Sequence, residues 1–127
     1  MSLHFVHTEK APAAIGPYSQ AVQAGPWLFV SGQIPLDPET GRLVEGAFDL
    51  QARQVLHNVE KVLEAAGYVM NNVVAVDVFL TDLANFQTFN TIYEQAFGNH
   101  KPARAVVQVS ALPRGAHIEM KCVAFKT

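Results

Sequence analysis

Between Phe48 and Ala66 the chain alternates apolar and polar positions with a helical period. Phe48, Ala52, Val55, Val59, Val62 and Ala66 recur three or four residues apart, and Leu56 and Leu63 widen the stripe. This spacing predicts an amphipathic helix with one face turned to a core. Asp49 lies near its positive end and Gly67 is a natural stop. A second helical pattern, Leu83, Phe86, Asn90, Tyr93 and Phe97, predicts a helix from about Asn85 to Phe97. Thr81 or Asp82 is placed to cap it and Gly98 to end it. Elsewhere the period shortens to two. Val73 to Thr81 is rich in β-branched residues and predicts a strand, as do Arg104 to Ser110 and His117 to Phe125.

The N-terminal third reads as strands separated by punctuation. Leu3 to His7 can form a short first strand. Ala11 to Pro17 holds two prolines and a glycine and predicts a loop. Ser19 to Ala24 and Trp27 to Ser31 flank Gly25-Pro26. Glycine followed by proline, with its fixed negative φ, suits a type II′ hairpin turn. Gln33 to Gly46 is loop-rich. The resulting order is β-β-β-α-β-α-β-β. The helices cluster rather than alternate with every strand, so the expected class is α+β: a single-layer mixed sheet of about six strands with two helices on one face.

Strand parity describes the other face. In the fourth strand, Val74, Val76, Val78 and Leu80 form the apolar set expected to face the helices, opposite Ala75, Asp77 and Phe79. In the last strand, Ile118, Met120, Cys122 and Ala124 oppose His117, Glu119, Lys121, Val123 and Phe125. In the fifth, if Ala105, Val107 and Val109 face the helices, Arg104 and Val106 face away. Phe79, Val106, Val123 and Phe125 are then left on a face with no third helix to cover them. An apolar sheet face of this kind predicts a subunit interface. The same parity puts Arg104 and Glu119 on one sheet face in neighbouring strands.

Composition narrows the classes. The chain has 127 residues, half of them hydrophobic and 16% charged, which fits one packed domain over residues 1–127. Net charge is -2, with no basic cluster, so a nucleic-acid surface is not expected. The single cysteine, Cys122, cannot form an intrachain disulfide and by parity belongs to the core. The opening Met-Ser-Leu-His-Phe-Val-His is not a secretory signal, and no apolar run approaches a membrane span, so a cytoplasmic protein is expected. His4, His7, His57, His100 and His117 form no metal-ligand motif. Neither a Gly-x-Ser-x-Gly elbow nor a phosphate loop occurs. No cofactor and no metal are expected.

Candidate chemistry gathers at Lys101-Pro-Ala-Arg-Ala-Val106. An arginine entering a strand is rarely buried alone, and its planar fork matches a carboxylate. Arg104 therefore reads as either a structural ion pair or the grip for a small acidic substrate. Asn90 puts an amide within an apolar helical stripe, where it needs partners. Tyr18 follows Gly16-Pro17 at a loop-to-strand junction. Ser31-Gly32 end a strand, where glycine permits close approach of a ligand to the backbone.

Pro102-Ala103-Arg104, Leu112-Pro113 and Ile118-Glu119-Met120 together resemble the signature of the reactive intermediate deaminase (Rid, YjgF-type) family. Ala14-Ile-Gly-Pro-Tyr-Ser-Gln-Ala21, Val30-Ser-Gly-Gln-Ile-Pro35, and Asp82-Leu83 with Phe86, Asn90 and Tyr93 match as well, in the family's order over nearly the whole chain. The resemblance implies a chorismate-mutase-like homotrimer with sites between subunits. It implies cofactor-free hydrolysis of 2-imino acids and their enamine tautomers (2-aminoacrylate/2-iminopropanoate and 2-iminobutanoate) to 2-keto acids and ammonia. Such substrates arise when pyridoxal-phosphate enzymes act on serine or threonine. It assigns Arg104 to the substrate carboxylate and Glu119 to a water, with Tyr18, Ser31, Gly32, Asn90 and backbone groups at Val106 lining the pocket. Many family members carry cysteine where this chain has Val106, so no thiol is available there. Relatives are also described as endoribonucleases or translation inhibitors. A non-catalytic metabolite-binding or chaperone-like trimer is a further alternative.

Overall fold

The computed structural model describes residues 2–127. It contains β1 (Leu3–Val6), β2 (Ala21–Ala24), β3 (Trp27–Gln33), α1 (Phe48–Ala65), β4 (Val73–Leu80), α2 (Phe86–Phe97), β5 (Ala103–Gln108) and β6 (Ile118–Phe125). The six strands form one mixed sheet in the order β1-β2-β3-β6-β4-β5. All neighbours are antiparallel except β4 and β5, which run parallel. The α+β class and the element order are as the sequence predicts. The last strand, however, inserts between β3 and β4 and separates the three N-terminal strands from the β4–β5 pair.

Local sequence explains the boundaries. Ala24 pairs with Trp27 across Gly25-Pro26, and Gly25 adopts φ 59°, as a hairpin turn with glycine at its first central position requires. α1 ends in a Schellman arrangement: Tyr68 N donates to Leu63 O at 2.9 Å and Gly67 N to Glu64 O at 3.0 Å, with Gly67 at φ 82°. A single turn at Leu83–Asn85 precedes α2, and Asp82 Oδ1 accepts from Ala84 N at 2.9 Å.

The core lies between the helices and one sheet face. Val55, Val59, Val62 and Leu63 of α1 and Phe89 of α2 are fully buried against Leu28, Val76, Val78, Leu80, Ile118 and Met120. β6 keeps the predicted parity, with Ile118, Met120, Cys122 and Ala124 buried. Burial pushes the Cys122 thiol up to about 12, so it packs as a small hydrophobe.

Two parity expectations need correction. In β4, Val73 is buried and Val74 is 40% exposed. A register shift between Val73 and Ala75 reverses the alternation at the start of the strand, so Val74 leaves the core set. In β5, Arg104 pairs with Val76 and Val106 with Val78. Registered residues share a face, so Arg104 and Val106 lie on the helix side. Val106 packs against the core. Ala105 and Val107 instead join Asp77 and Phe79 on the open face.

The open face is apolar along most of its width. Phe5, Val22, Phe29 and Val123 follow one another across β1, β2, β3 and β6, and Trp27 packs edge-on against Phe125 with ring centroids 4.7 Å apart. Phe5 is 61% exposed and Phe29 49%. Among the described residues no helix covers this surface, and none is long and apolar enough to cross a membrane.

Candidate active site

Two half-sites lie on opposite sides of the sheet. The first is on the open face, where β3 meets β6. A register shift between Val30 and Gln33 breaks the ladder at Ser31-Gly32. These residues therefore sit at a bulge within the strand rather than at its end, a device that re-aims local groups. Ser31 Oγ donates to Ser19 O at 2.6 Å, leaving its lone pairs free. Glu119 fills the space beside Gly32: a Cβ on residue 32 would collide with Glu119 Oε2 and come within 3.0 Å of Cδ. Desolvation raises the Glu119 carboxyl above its ordinary value, opposed by the Lys121 charge. Ile15, Tyr18, Ile34 and Pro113 complete a trough of about 440 Å³ around Ser31, Gly32 and Glu119.

The loop that carries Ile15 and Tyr18 is tied down by a buried amide. Gln20 Oε1 accepts from Thr8 N at 2.7 Å, while its Nε2 donates to Thr8 O at 3.0 Å and Pro12 O at 2.8 Å. On the helix side, Asn58 Nδ2 donates to Leu36 O at 2.9 Å and fastens the loop after β3 to α1. Sequence reasoning did not single out Gln20 or Asn58. The available signal was a polar residue directly before the first core residue of β2, and an amide at a helix position between Val55 and Val62.

The second half-site is formed by β5 and α2. Asn90, Tyr93 and Arg104 line a cavity of about 330 Å³ with His100 and Lys101. The Arg104 Cζ lies 4.8 Å from the Tyr93 ring centroid, 5.8 Å from Phe86 and 5.9 Å from Phe89. The ion pair found among the described residues joins Lys61 and Glu64 and does not involve this arginine. Asn90 Oδ1 and the Tyr93 hydroxyl are buried without a partner. Asn90 sits at the margin of the α2 core stripe rather than within it: Phe89, Ile92, Tyr93 and Phe97 are buried, while Leu83 and Phe86 remain exposed.

The predicted site residues thus separate into Tyr18, Ser31, Gly32 and Glu119 on one side and Asn90, Arg104 and Val106 on the other. Arg104 and Glu119 do not share a face. Arg104 pairs with core-facing Val76, Glu119 pairs with Phe79 on the open face, and β4 stands between their strands. Among the described residues no group of three His, Cys, Asp or Glu side chains is placed to hold a metal ion.

Fold and site together define a single-sheet α+β domain with an unneutralised arginine at one edge and a desolvated glutamate in a trough on its open face. The chain belongs to the family described as Endoribonuclease L-PSP, the Rid/RutC group, whose model matches residues 8–126. A mouse protein named 2-iminobutanoate/2-iminopropanoate deaminase is 50% identical over 94% of this chain and 88% of its own length. A Thermotoga maritima structure superposes with a TM-score of 0.96 at 51% identity, covering 98% of both chains. Escherichia coli TdcF, solved with bound serine, superposes with a TM-score of 0.93 at 39% identity, covering 98% of this chain and 99% of its own.

Proposed function

We propose that this protein hydrolyses small 2-imino acids and their enamine tautomers, 2-aminoacrylate/2-iminopropanoate and 2-iminobutanoate, to 2-keto acids and ammonia in the cytoplasm, without a cofactor. The observation that carries the reading is the Arg104 guanidinium, which has no carboxylate partner among the described residues and opens onto a cavity. Its fork can take a substrate carboxylate through two parallel N–H donors. The name of the mouse relative and the serine bound in TdcF support an amino-acid-sized carboxylate ligand.

Glu119 supplies the second requirement. A carboxyl raised by desolvation exchanges protons closer to neutral pH than an ordinary glutamate. As water adds to C2 of the protonated imine, Glu119 takes a proton from the water, and the C=N π electrons move to nitrogen. The same group returns the proton to the amine. The C2–N bond then breaks as Glu119 takes the carbinol hydroxyl proton, the carbinol oxygen becomes the keto oxygen, and ammonia leaves with that proton as ammonium. Each turnover consumes one water, and Glu119 is regenerated. Ser31 and Asn90 offer polar contacts to the tetrahedral intermediate, with backbone groups near Val106, and Tyr18 closes the trough.

Because one copy places Arg104 and Glu119 on opposite sheet faces, the site is assembled from two copies. The β5–α2 half of one protomer meets the trough of its neighbour in a homotrimer packed through the apolar open face. This arrangement covers Phe5, Phe29 and Phe79 and completes the chemistry in one step. The test generates imines with an amino-acid oxidase and traps what remains with semicarbazide. The expected result is accelerated loss of trapped imine and release of keto acid, abolished by Arg104→Ala.

The family description favours a second reading, endoribonuclease activity. RNA cleavage that survives removal of contaminating nuclease and disappears with Arg104→Ala is the result that would support it over hydrolysis of imines.

A further inference from the structure

We propose that Phe86, Phe89 and Tyr93 form an aromatic box that positions the Arg104 guanidinium for a ligand carboxylate in place of an acidic side chain. The inference deepens the proposed reaction and rests on Arg104 being its carboxylate grip.

An exposed arginine is ordinarily oriented by an Asp or Glu. Here such a partner would compete with the substrate: its oxygens would occupy the N–H edges, and its charge would cancel the attraction for a second carboxylate. Three ring centroids instead lie within 6 Å of Cζ. Ring faces attract a cation through their quadrupole without taking its N–H donors and without adding negative charge. Glu94 lines the same cavity but forms no ion pair with Arg104.

The helix carries the box by its spacing. Phe86, Phe89 and Tyr93 fall at i, i+3 and i+7, so all three reach the strip above β5. Tyr93 and Phe89 are buried and braced, their rings tilted at 5.4 Å, and Tyr93 packs on Phe97 at 4.5 Å. Phe86 is 37% exposed at the start of α2, a position where core packing does not call for phenylalanine. Contact with the guanidinium accounts for it. The Tyr93 phenol does not become a counter-ion: burial raises its pKa, against the opposing effect of Arg104. The cation therefore keeps its full charge and its donors, and the rings restrict where it points.

The test compares Phe86→Leu, Tyr93→Leu and Tyr93→Phe with the parent protein in its native assembly, using 2-oxobutanoate binding by calorimetry and imine turnover. Phe86→Leu, at an exposed position, is expected to fold normally and to weaken 2-oxobutanoate by about 2- to 30-fold. The loss should appear in KM rather than kcat. Tyr93→Phe keeps the ring and should recover the affinity that Tyr93→Leu loses. Parent-like affinity in both leucine variants, with Arg104→Ala losing binding, would overturn the box while leaving the deaminase reading intact. An independent readout is the Arg104 Nε–H resonance. Ring currents should hold it at an unusual shift that relaxes in Phe86→Leu, and a resonance already at an ordinary arginine position would overturn the box even if no imine is turned over.

Discussion

Glu119 occupies the volume that a side chain on Gly32 would need. The glycine is required at this point by space: a Cβ there meets the Glu119 carboxylate, the mobile end of a side chain, rather than backbone. Gly32→Ala should therefore displace the carboxylate without unfolding the protein. The expected outcome is a kcat for imine hydrolysis reduced at least about tenfold, since a misplacement near 1 Å costs one to two orders of magnitude. The melting temperature should stay within a few degrees of the parent. A fully active Gly32→Ala enzyme would separate the Gly32–Glu119 contact from the chemistry.

Arg104→Lys keeps the charge and removes the fork. A charge-assisted hydrogen bond contributes about 1.5–3 kcal/mol, so kcat/KM should fall about 10- to 150-fold. Lysine also loses the broad face that the three rings hold. Near-normal turnover in Arg104→Ala would remove the arginine from the site.

The raised Glu119 pKa carries a linked stability effect whose sign is fixed. The folded state holds the Glu119 proton to higher pH than the unfolded chain does. As pH rises from the ordinary glutamate value through the folded one, the unfolded state gives up its proton first and the fold loses stability. Glu119→Gln removes this loss. It should raise the melting temperature at pH 7, and the difference should vanish below about pH 4. The same substitution should harm turnover more than binding of 2-oxobutanoate and should abolish the acid limb of the kcat/KM profile. Equal losses in both measurements would indicate a structural role.

Some of this was readable from the chain and some was not, for identifiable reasons. α1 was legible because its stripe runs through five turns and ends at Gly67. β6 was legible because it is central and buried on one face only, so its alternation is strict. β5 misled because it is an edge strand whose residues at 105 to 107 are all apolar. A period-two pattern carries no facing information there, and only the parallel register with β4 places Arg104 beside Val76. The bulge that exposes Val74 inserts one residue of phase with no Gly or Pro to announce it. Gln20 hid because its partners, Thr8 and Pro12, are backbone groups in a loop. The candidate site residues were recognisable as a set through family resemblance, but the division between two sheet faces belongs to topology, which local pattern does not encode.

Gln20 is the test of how the trough is held. Four backbone groups of residues 8–12, Thr8 N, Thr8 O, Ala11 O and Pro12 O, bond to this buried amide. Gln20→Leu leaves them unsatisfied and should destabilise the fold by about 2–4 kcal/mol. Proteolysis within residues 8–17 should accelerate, while the β4–β5 end, with Arg104 and Tyr93, stays protected. A parent-like melting temperature would show that water replaces the amide freely.

Subunit mixing tests the shared site most directly. If each site takes Arg104 from one protomer and Glu119 from its neighbour, neither Arg104→Ala nor Glu119→Gln homo-oligomers should hydrolyse imines at more than a residual rate. When the two variants are dissociated and reassembled at equal amounts, an interface recovers both native groups whenever an arginine-bearing half meets a glutamate-bearing half. For random cyclic assembly this occurs at about one interface in four, so about a quarter of the parent rate should return. A site complete within one protomer predicts no recovery, because every chain in the mixture lacks one of the two groups. The opposite faces occupied by Arg104 and Glu119 favour the first outcome. An inactive mixture that has been shown to exchange its subunits would remove the interface from the mechanism.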